Sequence, residues 1–209
     1  MSDIKVLGRT TSSNVMKVLW TLTELDLPYV REDVGGKFGG NDTPAFRTLN
    51  PNGLVPTLLD GRVVVWESNT ICRYLCNTAG ETPLYPRAAA ARSQCERWMD
   101  WQLSTLAPHS TPFFLMRVRT PKALQDPAAI AANREAMAKT LGILENTLAA
   151  QPFLAGAHPT LADIALGPAA HRWFALGADN GAFPNMTGWY QRLQARPGYQ
   201  THVVKVPLE

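Results

Sequence analysis

The sequence has few cysteines and no cluster of metal-ligating residues. Its 209 residues include three cysteines, Cys72, Cys76 and Cys95, which form neither a CxxC pair nor an even set. Neither a redox dithiol nor a disulfide framework is therefore indicated. Cys72 and Cys76 share a helical face without histidines nearby, and no Ser/His/Asp order stands out. We expect packed, reduced thiols of an intracellular protein, and no metal.

Long apolar runs and clusters of one charge are also missing. No apolar stretch approaches the ~20 residues that span a bilayer, so a membrane span is not predicted. The net charge of +3 comes without a Lys/Arg cluster, which argues against a nucleic-acid partner. Met1-Ser2-Asp3 leads directly into a strand-like run, which predicts no signal peptide and a cytoplasmic location. The length allows one large or two small globular domains.

The most informative stretch runs from Asn50 to Leu75 and reads NPNGLVPTLLDGRVVVWESNTICRYL. Two short runs rich in β-branched residues, Val55–Leu59 and Arg62–Trp66, are separated by Asp60-Gly61. Because Asp-Gly accepts the positive φ values of a type I′ turn, the pattern predicts a β-hairpin. The periodicity becomes helical directly after Glu67-Ser68. A helix is therefore expected at the end of the second strand.

Ser68 is predicted to be the N-cap of this helix, which would place free backbone N–H groups beside the sheet edge. A peptide-like ligand could pair its main chain with the edge at Val55 and seat a carboxylate at the helix start. Glu67 could then hold an ammonium group. The stretch thus favours a site for a small zwitterionic peptide.

The ordered motifs of this stretch resemble the thioredoxin-like domain of glutathione transferases. They are N-P-x-G-x-V-P, the D-G hairpin and E-S-x-x-I-x-R-Y-L. The resemblance implies a cis bond before Pro56, main-chain pairing of Val55 with the cysteinyl part of glutathione, and γ-glutamyl contacts from the Glu-Ser pair. It implies glutathione-binding roles for Lys37, Asn52, Val55, Pro56, Glu67 and Ser68, with Lys37 and Asn52 at the glycyl end.

The chain before and around this stretch follows a βαβ then ββα order. Ile4–Leu7 is predicted to be a strand, a helix follows from Asn14, and a second strand reaches Val34. A right-handed crossover makes these two strands parallel. Gly35–Phe46 is glycine-rich and expected to be irregular, and it has no phosphate-loop pattern. The fold class is therefore α/β plus all-α, with a thioredoxin-like N-terminal domain.

Beyond Pro86 the strand signals vanish and a helical bundle is expected. A capping box, Thr160 and Asp163, opens a nearly all-apolar helix, and with Phe153–Gly156 it also fits the resemblance. The other helical patterns are Arg87–Leu106, 130–148 and Met186–Arg196, the last ended by Pro197-Gly198. We predict a glutathione-binding domain over 1–82, a linker over 83–88, and an all-α domain over 89–209 that contributes the electrophile pocket.

A glutathione enzyme must raise the thiolate fraction of its substrate. A free thiol with a pKa near 8.5 is only slightly ionised at neutral pH, and lowering that pKa by ~2 units takes about 2.7 kcal/mol. A hydroxyl donor at a helix N-terminus can supply stabilisation of this order. The turn Gly8–Ser13 contains no Tyr or Cys, which disfavours the tyrosine-type and cysteine-type transferases.

Several donors in this turn compete for the thiol. Alignment of the helix with theta- and nu-like sequences places Ser12 at their serine or threonine, and Asn14 at the nu-like asparagine that faces the thiol. A zeta-like alignment favours Thr10, Thr11 or Ser13 instead. The whole cluster could also serve only as a helix cap. We predict Ser12 and Asn14 as the catalytic pair, with Ser13 and Thr11 as alternatives.

The second substrate is expected to lie against the helix after the linker and the end of the buried helix. Aromatic and polar side chains at helical spacing are candidates, although such aromatics more often belong to a core. The predicted electrophile pocket consists of Trp101, Thr105, His109, Phe113, Arg117 and Trp173. Phe114, Met116 and Phe174 are further candidates.

The resemblance implies a homodimeric, serine-type, theta- or nu-like bacterial glutathione transferase acting in detoxification. Glutathione would be the co-substrate, and the thiolate would attack small hydrophobic electrophiles whose identity the sequence does not indicate. A glutathione-dependent disulfide-bond reductase is one alternative. A non-catalytic, transferase-like binding or regulatory module is another.

Overall fold

The computed structural model describes residues 4–178 and 181–209. The chain divides into two compact units. One ends at Thr82 and includes the distant segment Pro197–Val206, and the other comprises Pro83–Arg196 with Pro207–Glu209. The domain limits predicted at 82 and 89 stay predictions.

The N-terminal unit is built on a four-stranded mixed sheet in the order β2-β1-β3-β4. Strand β1 pairs in parallel with β2 and antiparallel with β3, and β3 pairs antiparallel with β4. This confirms the thioredoxin-like arrangement. The elements in chain order are β1 (Ile4–Leu7), α1 (Ser13–Glu24), β2 (Val30–Glu32), α2 (Pro44–Leu49), β3 (Thr57–Asp60), β4 (Val63–Trp66) and α3 (Ser68–Ala79).

The core of this unit lies between the sheet and the helices α1 and α3, which pack against each other. The spacing of Val15, Val18, Leu22 and Leu25 predicts an apolar stripe on α1; the first three are buried and Leu25 is half-buried. Helix α3 buries Ile71 and Leu75. Burying a side chain of this size stabilises the fold by roughly 1.5–3 kcal/mol. Residues 15–22 of α1 are all buried, so this helix is enclosed on every side over two turns, and the helical period alone did not identify one inward face.

Two details of the hairpin and its helix differ from prediction. Asp60 pairs with Val63, so the loop residues are Gly61 and Arg62, and only Gly61 has a positive φ, at 58°. A positive φ at the first central residue alone is the pattern of a type II′ turn, so the type I′ prediction was wrong. Ser68 is the first residue of α3 and Glu67 is its N-cap, so the predicted cap was one residue late.

The prediction of irregular structure through Phe46 was also wrong. Helix α2 begins at Pro44, and Thr43 caps it by accepting a hydrogen bond from the Phe46 N–H at 3.3 Å. Threonine at the N-cap followed by proline at the first helical position is a local start signal. This start signal was missed because the glycine-rich sequence before it favoured an irregular segment.

The second unit is helical. Its helices are α4 (Ala89–Trp101), α5 (Ala107–Phe114), α6 (Pro127–Leu148), α7 (Leu161–Ala175) and α8 (Pro184–Gln194). The π-helical segments Gln102–Leu106 and Leu115–Arg119 follow α4 and α5. Within residues 4–178 and 181–209, no helix has the length and apolar character needed to cross a bilayer.

The capping box at the start of α7 is confirmed. Asp163 is completely buried, and its carboxylate accepts hydrogen bonds from the Leu154 N–H at 3.0 Å, the Thr160 N–H at 2.8 Å and the Trp189 indole N–H at 2.8 Å. Burial raises the pKa of this carboxyl, and the surrounding donors oppose the rise. One side chain therefore joins the helix start, the loop before it and α8.

The sequence pattern indicated that the last helix ends at Pro197-Gly198. In the structure, helical elements continue beyond α8. Pro197 begins a further short helix, α9 (Pro197–Tyr199), which continues into a π-helical turn over Gln200–Val204. Tyr199 packs on Trp20 of α1 with ring centroids 4.7 Å apart, and His202 Nε2 lies 2.8 Å from the Thr23 hydroxyl. Proline is favoured at the first helical position, so it can start a helix as well as end one.

Candidate active site

The turn between β1 and α1 presents Ser12 at a helix N-terminus. Ser12 is the N-cap residue of α1, with φ −81° and ψ 120°. Its carbonyl accepts a hydrogen bond from the Met16 N–H at 2.9 Å, but its side chain makes no capping hydrogen bond. Because the hydroxyl makes no hydrogen bond to the N–H groups of α1, the structure does not support the interpretation that Ser12 is only a helix cap. The helix dipole also favours negative charge at this place.

The other predicted donors of this turn lie in different environments. Thr11 is buried, Ser13 is the partly buried first residue of α1, and Asn14 is exposed in the first helical turn. Of the four, Ser12 alone combines the N-cap position with partial exposure. The structure thus brings the predicted catalytic residues into one turn.

The loop before β3 reaches the same turn. The Val55–Pro56 peptide bond is cis, as the resemblance implies. A Cβ placed on Gly8, at the end of β1, would lie 3.3 Å from Val55 Cβ and 3.7 Å from the Pro56 Cα. The same Cβ would collide with Val15 of α1 at 2.6 Å. A glycine at this position lets β1, α1 and the Val55–Pro56 loop meet.

The register of the sheet places the Glu67-Ser68 pair beside this loop. Thr57 pairs with Trp66 on one side and with Leu7 on the other. The chain segments that follow Leu7, precede Thr57 and follow Trp66 therefore leave the same end of the sheet. This end carries the β1–α1 turn, Val55-Pro56 and Glu67-Ser68.

Glu67 has an unusual backbone conformation at this end. Its φ is +72°, one of two positive values among the described non-glycine residues, and its side chain is exposed. Non-glycine residues in such regions cost about 1–3 kcal/mol and cluster at functional sites. Ser68 is 3% exposed at the first position of α3, where helix N–H groups are not used by the helix itself.

The glycine-rich segment after β2 lies at this end as well. Lys37 is exposed in a short 3₁₀ turn, with its Nζ 5.5 Å from the Phe38 ring centroid. A Cβ on Gly36 would lie 2.8 Å from Arg9 Nε, and one on Gly35 would lie 3.4 Å from Val55 Cγ1. The Arg9 guanidinium group therefore lies against Gly35 and Gly36 at this end of the sheet. Sequence reasoning missed Arg9, although its position directly after Gly8 in the β1–α1 turn was a usable signal.

Asn52 takes part in a loop network. Its N–H and its side-chain amide both donate to Asn50 Oδ1, at 3.1 and 3.3 Å. Asn50 is buried and donates to the Leu54 carbonyl at 2.8 Å and to the Thr57 hydroxyl at 3.2 Å. Asn50, which the sequence reasoning did not assign to the site, thus shapes the chain that leads into Val55.

The predicted electrophile-pocket residues all lie in the helical unit. Phe113 and Trp173 are almost fully buried with ring centroids 6.0 Å apart, so they form part of its core. Trp101 packs edge-on against Trp98 at 5.3 Å. Arg117 is exposed and donates to the Leu176 carbonyl at 3.3 Å. Thr105 and His109 are partly buried, and the assignment of these six residues to a pocket stays a prediction.

Comparison with known proteins places this arrangement in a family. Residues 11–78 match the family model for the glutathione S-transferase N-terminal domain, and residues 127–192 match the model for the C-terminal domain. Glutathione S-transferase GstB of Escherichia coli strain K12 is 38% identical over 207 residues, which cover 98% of this chain and 99% of GstB. The chain belongs to the glutathione S-transferase family. The predictions of family, fold class and enzyme class are thereby confirmed.

Other transferases match along the whole chain. Glutathione S-transferase 3 of Zea mays is 33% identical over 217 residues, which cover 100% of this chain and 96% of the maize protein. The crystal structure of a theta class glutathione S-transferase from Xanthomonas axonopodis pv. citri, with glutathione bound, superposes with a TM-score of 0.95. It is 45% identical and the match covers 100% of both chains.

The cysteines of this transferase are not placed as nucleophiles. All three are buried, and burial raises the pKa of the Cys72 thiol to about 11. A thiol with that pKa is almost entirely protonated at neutral pH and reacts poorly. In the part of the chain that the structure describes, no group of three or more His, Cys, Asp or Glu residues is arranged to hold a metal ion.

Proposed function

We propose that this enzyme conjugates the glutathione thiolate to small hydrophobic electrophiles, and that the Ser12 hydroxyl donates a hydrogen bond to the thiolate. The observation that carries the proposal is the Ser12 side chain, which stands at the N-cap of α1 without capping it. The turn that holds Ser12 shares one end of the sheet with Val55-Pro56 and Glu67-Ser68. A related transferase is known with glutathione bound.

The placement of glutathione follows from the groups at this end of the sheet. The main chain of Val55 would pair with the cysteinyl residue of glutathione. The Glu67 carboxylate would hold the α-ammonium of the γ-glutamyl group, while the Ser68 hydroxyl and the first N–H groups of α3 would receive its carboxylate. Lys37 and Asn52 would lie toward the glycyl end. The thiol would then meet Ser12, with Asn14 as a second polar neighbour.

The chemistry requires thiol ionisation and positioning. The thiol proton leaves to solvent, and the Ser12 donor together with the α1 dipole stabilises the thiolate. The sulfur then attacks the electrophilic carbon, forming a C–S bond while the leaving group departs with its electron pair. Most of the acceleration would come from the thiolate fraction and from holding both reactants together.

The remaining parts of the proposal concern the second substrate and the assembly. The helical unit would supply the surface for the electrophile, and the proposed residues that are at least partly exposed are Trp101, Thr105, His109 and Arg117. Phe113 and Trp173, which lie in the core, would support this surface from behind. A homodimer in the cytoplasm is the proposed assembly and location.

Calorimetric titration with glutathione in two buffers of different ionisation enthalpy tests the proposal. At pH 7 we expect binding with release of about 0.7 proton, because lowering a thiol pKa of about 8.5 by ~2 units places it below the working pH. The difference in heat between the buffers measures the protons released. Binding without proton release would contradict the role of Ser12, and no binding at millimolar glutathione would contradict the proposal as a whole.

Substitution of Glu67 should change affinity and stability in opposite directions. Glu67→Gly should weaken glutathione binding about 10- to 100-fold, because a charge-assisted contact worth about 1.5–3 kcal/mol is lost. The same change should raise the free energy of unfolding by about 1 kcal/mol, because glycine tolerates the positive φ. Glutathione titration and urea unfolding measure the two effects.

Asp26→Gly is the matched control for this prediction. Asp26 is the other described non-glycine residue with a positive φ, at 52°, and it is also exposed. Its substitution should raise stability without changing glutathione affinity. Equal affinities of the Glu67→Gly variant and the wild type would remove Glu67 from the proposed site.

A further inference from the structure

The core of the N-terminal unit contains a buried lysine. Lys17 lies on the inner face of α1 and is 2% exposed. Its Nζ donates to Oδ1 of Asn69, the second residue of α3, at 3.5 Å. Asn69 is itself 3% exposed. Lysine is almost never fully buried, because removing an ammonium group from water is costly.

A second polar contact lies beside this pair. The Thr21 hydroxyl donates to the Lys17 carbonyl at 2.8 Å and lies 3.2 Å from Cys72 Sγ. The Cys72 thiol is neutral, because burial raises its pKa to about 11. Lys17 is therefore not the counter-ion of a thiolate at Cys72.

Stability does not account for an ammonium group at this position. A methionine of similar length would fill the same space without the desolvation cost, and apolar replacements of buried charges are often neutral or stabilising. The positive end of the α3 dipole also disfavours a cation close to the start of α3. The contact has a geometric consequence instead, because it links the second turn of α1 to the first turn of α3.

We propose that Lys17 is a positioning residue for glutathione. Lys17 follows Ser12 by five residues, about one and a half helical turns. Its Nζ donates a hydrogen bond to Asn69, the residue after Ser68 in α3. The contact sets the distance between the two helix starts that would hold the thiol and the γ-glutamyl group. This inference rests on the proposed glutathione site, and it assigns Lys17 no contact with the substrate.

Steady-state kinetics and glutathione titration of Lys17→Met test the role. We expect the KM and Kd for glutathione to rise about tenfold, while kcat at saturating glutathione stays within about threefold, as fits a loss of ordering before binding. Lys17→Arg, which keeps the cation, should recover most of the affinity. Asn69→Ala should mimic Lys17→Met, and the double variant should be no worse than either alone, since both remove one contact.

Thr21→Val is the matched control within the same buried cluster. It removes the hydroxyl contacts but leaves Lys17 and Asn69 in place, so it should lower stability without changing the KM for glutathione. If Lys17 had only a structural role, the glutathione affinity of all these variants, Thr21→Val included, would fall in proportion to their loss of stability. That result, or an unchanged KM in both Lys17→Met and Asn69→Ala, would overturn the inference.

Amide hydrogen exchange without glutathione separates this inference from the proposed function. Lys17→Met should increase exchange at residues 71–73 relative to the rest of α3, because the N–H groups of these residues are bonded across the first turn, which loses its tether. If the wild type does not bind glutathione, the proposed function fails whatever the exchange shows. Unchanged exchange at 71–73 overturns the inference even if the wild type binds glutathione normally.

Discussion

Replacing Ser12 with alanine should lower kcat/KM at pH 6.5 about 10- to 100-fold, and at most about 1000-fold, the range seen when one donor to a developing anion is removed. The bound thiol should titrate about 1–2 pKa units higher, because a hydrogen bond to the charged form lowers a pKa. The pH–rate profile should therefore move to higher pH. Thiolate absorbance in the binary complex measures the shift directly.

The Ser12→Ala variant should also fold normally. Loss of an N-cap hydrogen bond usually costs 0.5–2 kcal/mol, but the Ser12 side chain makes no such bond, so the free energy of unfolding should change by less than about 0.5 kcal/mol. Ser13→Ala is the matched control and should leave the thiol pKa unchanged. A raised thiol pKa in Ser13→Ala together with an unchanged one in Ser12→Ala would assign the thiol contact to Ser13 instead.

Replacing Asp163 with alanine should have the largest effect on stability of any single change considered. Its removal would leave three buried N–H groups unpaired, those of Leu154, Thr160 and the Trp189 indole. Each unsatisfied buried donor costs about 1–3 kcal/mol, so the free energy of unfolding should fall by at least about 3 kcal/mol. Asp163→Asn, which keeps one acceptor oxygen, should lose roughly half as much. Urea unfolding followed by tryptophan fluorescence measures both.

Asp126→Ala provides the comparison for Asp163. Asp126 also caps a helix, accepting from the Ala128 and Ala129 N–H groups at 2.9 and 3.2 Å, but it is exposed. Water can replace it at those donors, so its loss should cost only about 1 kcal/mol. Equal losses for the two aspartates would show that burial of the carboxylate contributes nothing.

Local features were predictable because neighbouring residues encode them. The capping box needs only Thr160 and Asp163, three positions apart, and the existence of α1 follows from the helical period of its apolar residues. The errors were local as well. The turn type depended on which residue pair closed the hairpin, and the cap of α3 depended on the φ of Glu67, neither of which composition specifies.

The predicted glutathione-binding stretch depends on a family resemblance rather than on local periodicity. Its motifs span about two dozen residues and resemble a family, so Val55, Glu67 and Ser68 could be assigned before their geometry was known. The first turn offered five possible donors, and the sequence left the choice among them open. The structure shows that the Ser12 hydroxyl does not serve as a cap, and the choice of Ser12 stays a proposal.

The sequence alone determined the family, the βαβ then ββα order of the strands and their two main helices, and the start of α7, since each depends on short-range spacing. Tertiary structure alone decided that Arg9 lies against Gly36, that Lys17 reaches Asn69, and that Tyr199 returns to Trp20 of α1. These contacts join residues 27, 52 and 179 positions apart. Their partners are chosen by sheet order and side-chain packing, which no local pattern records.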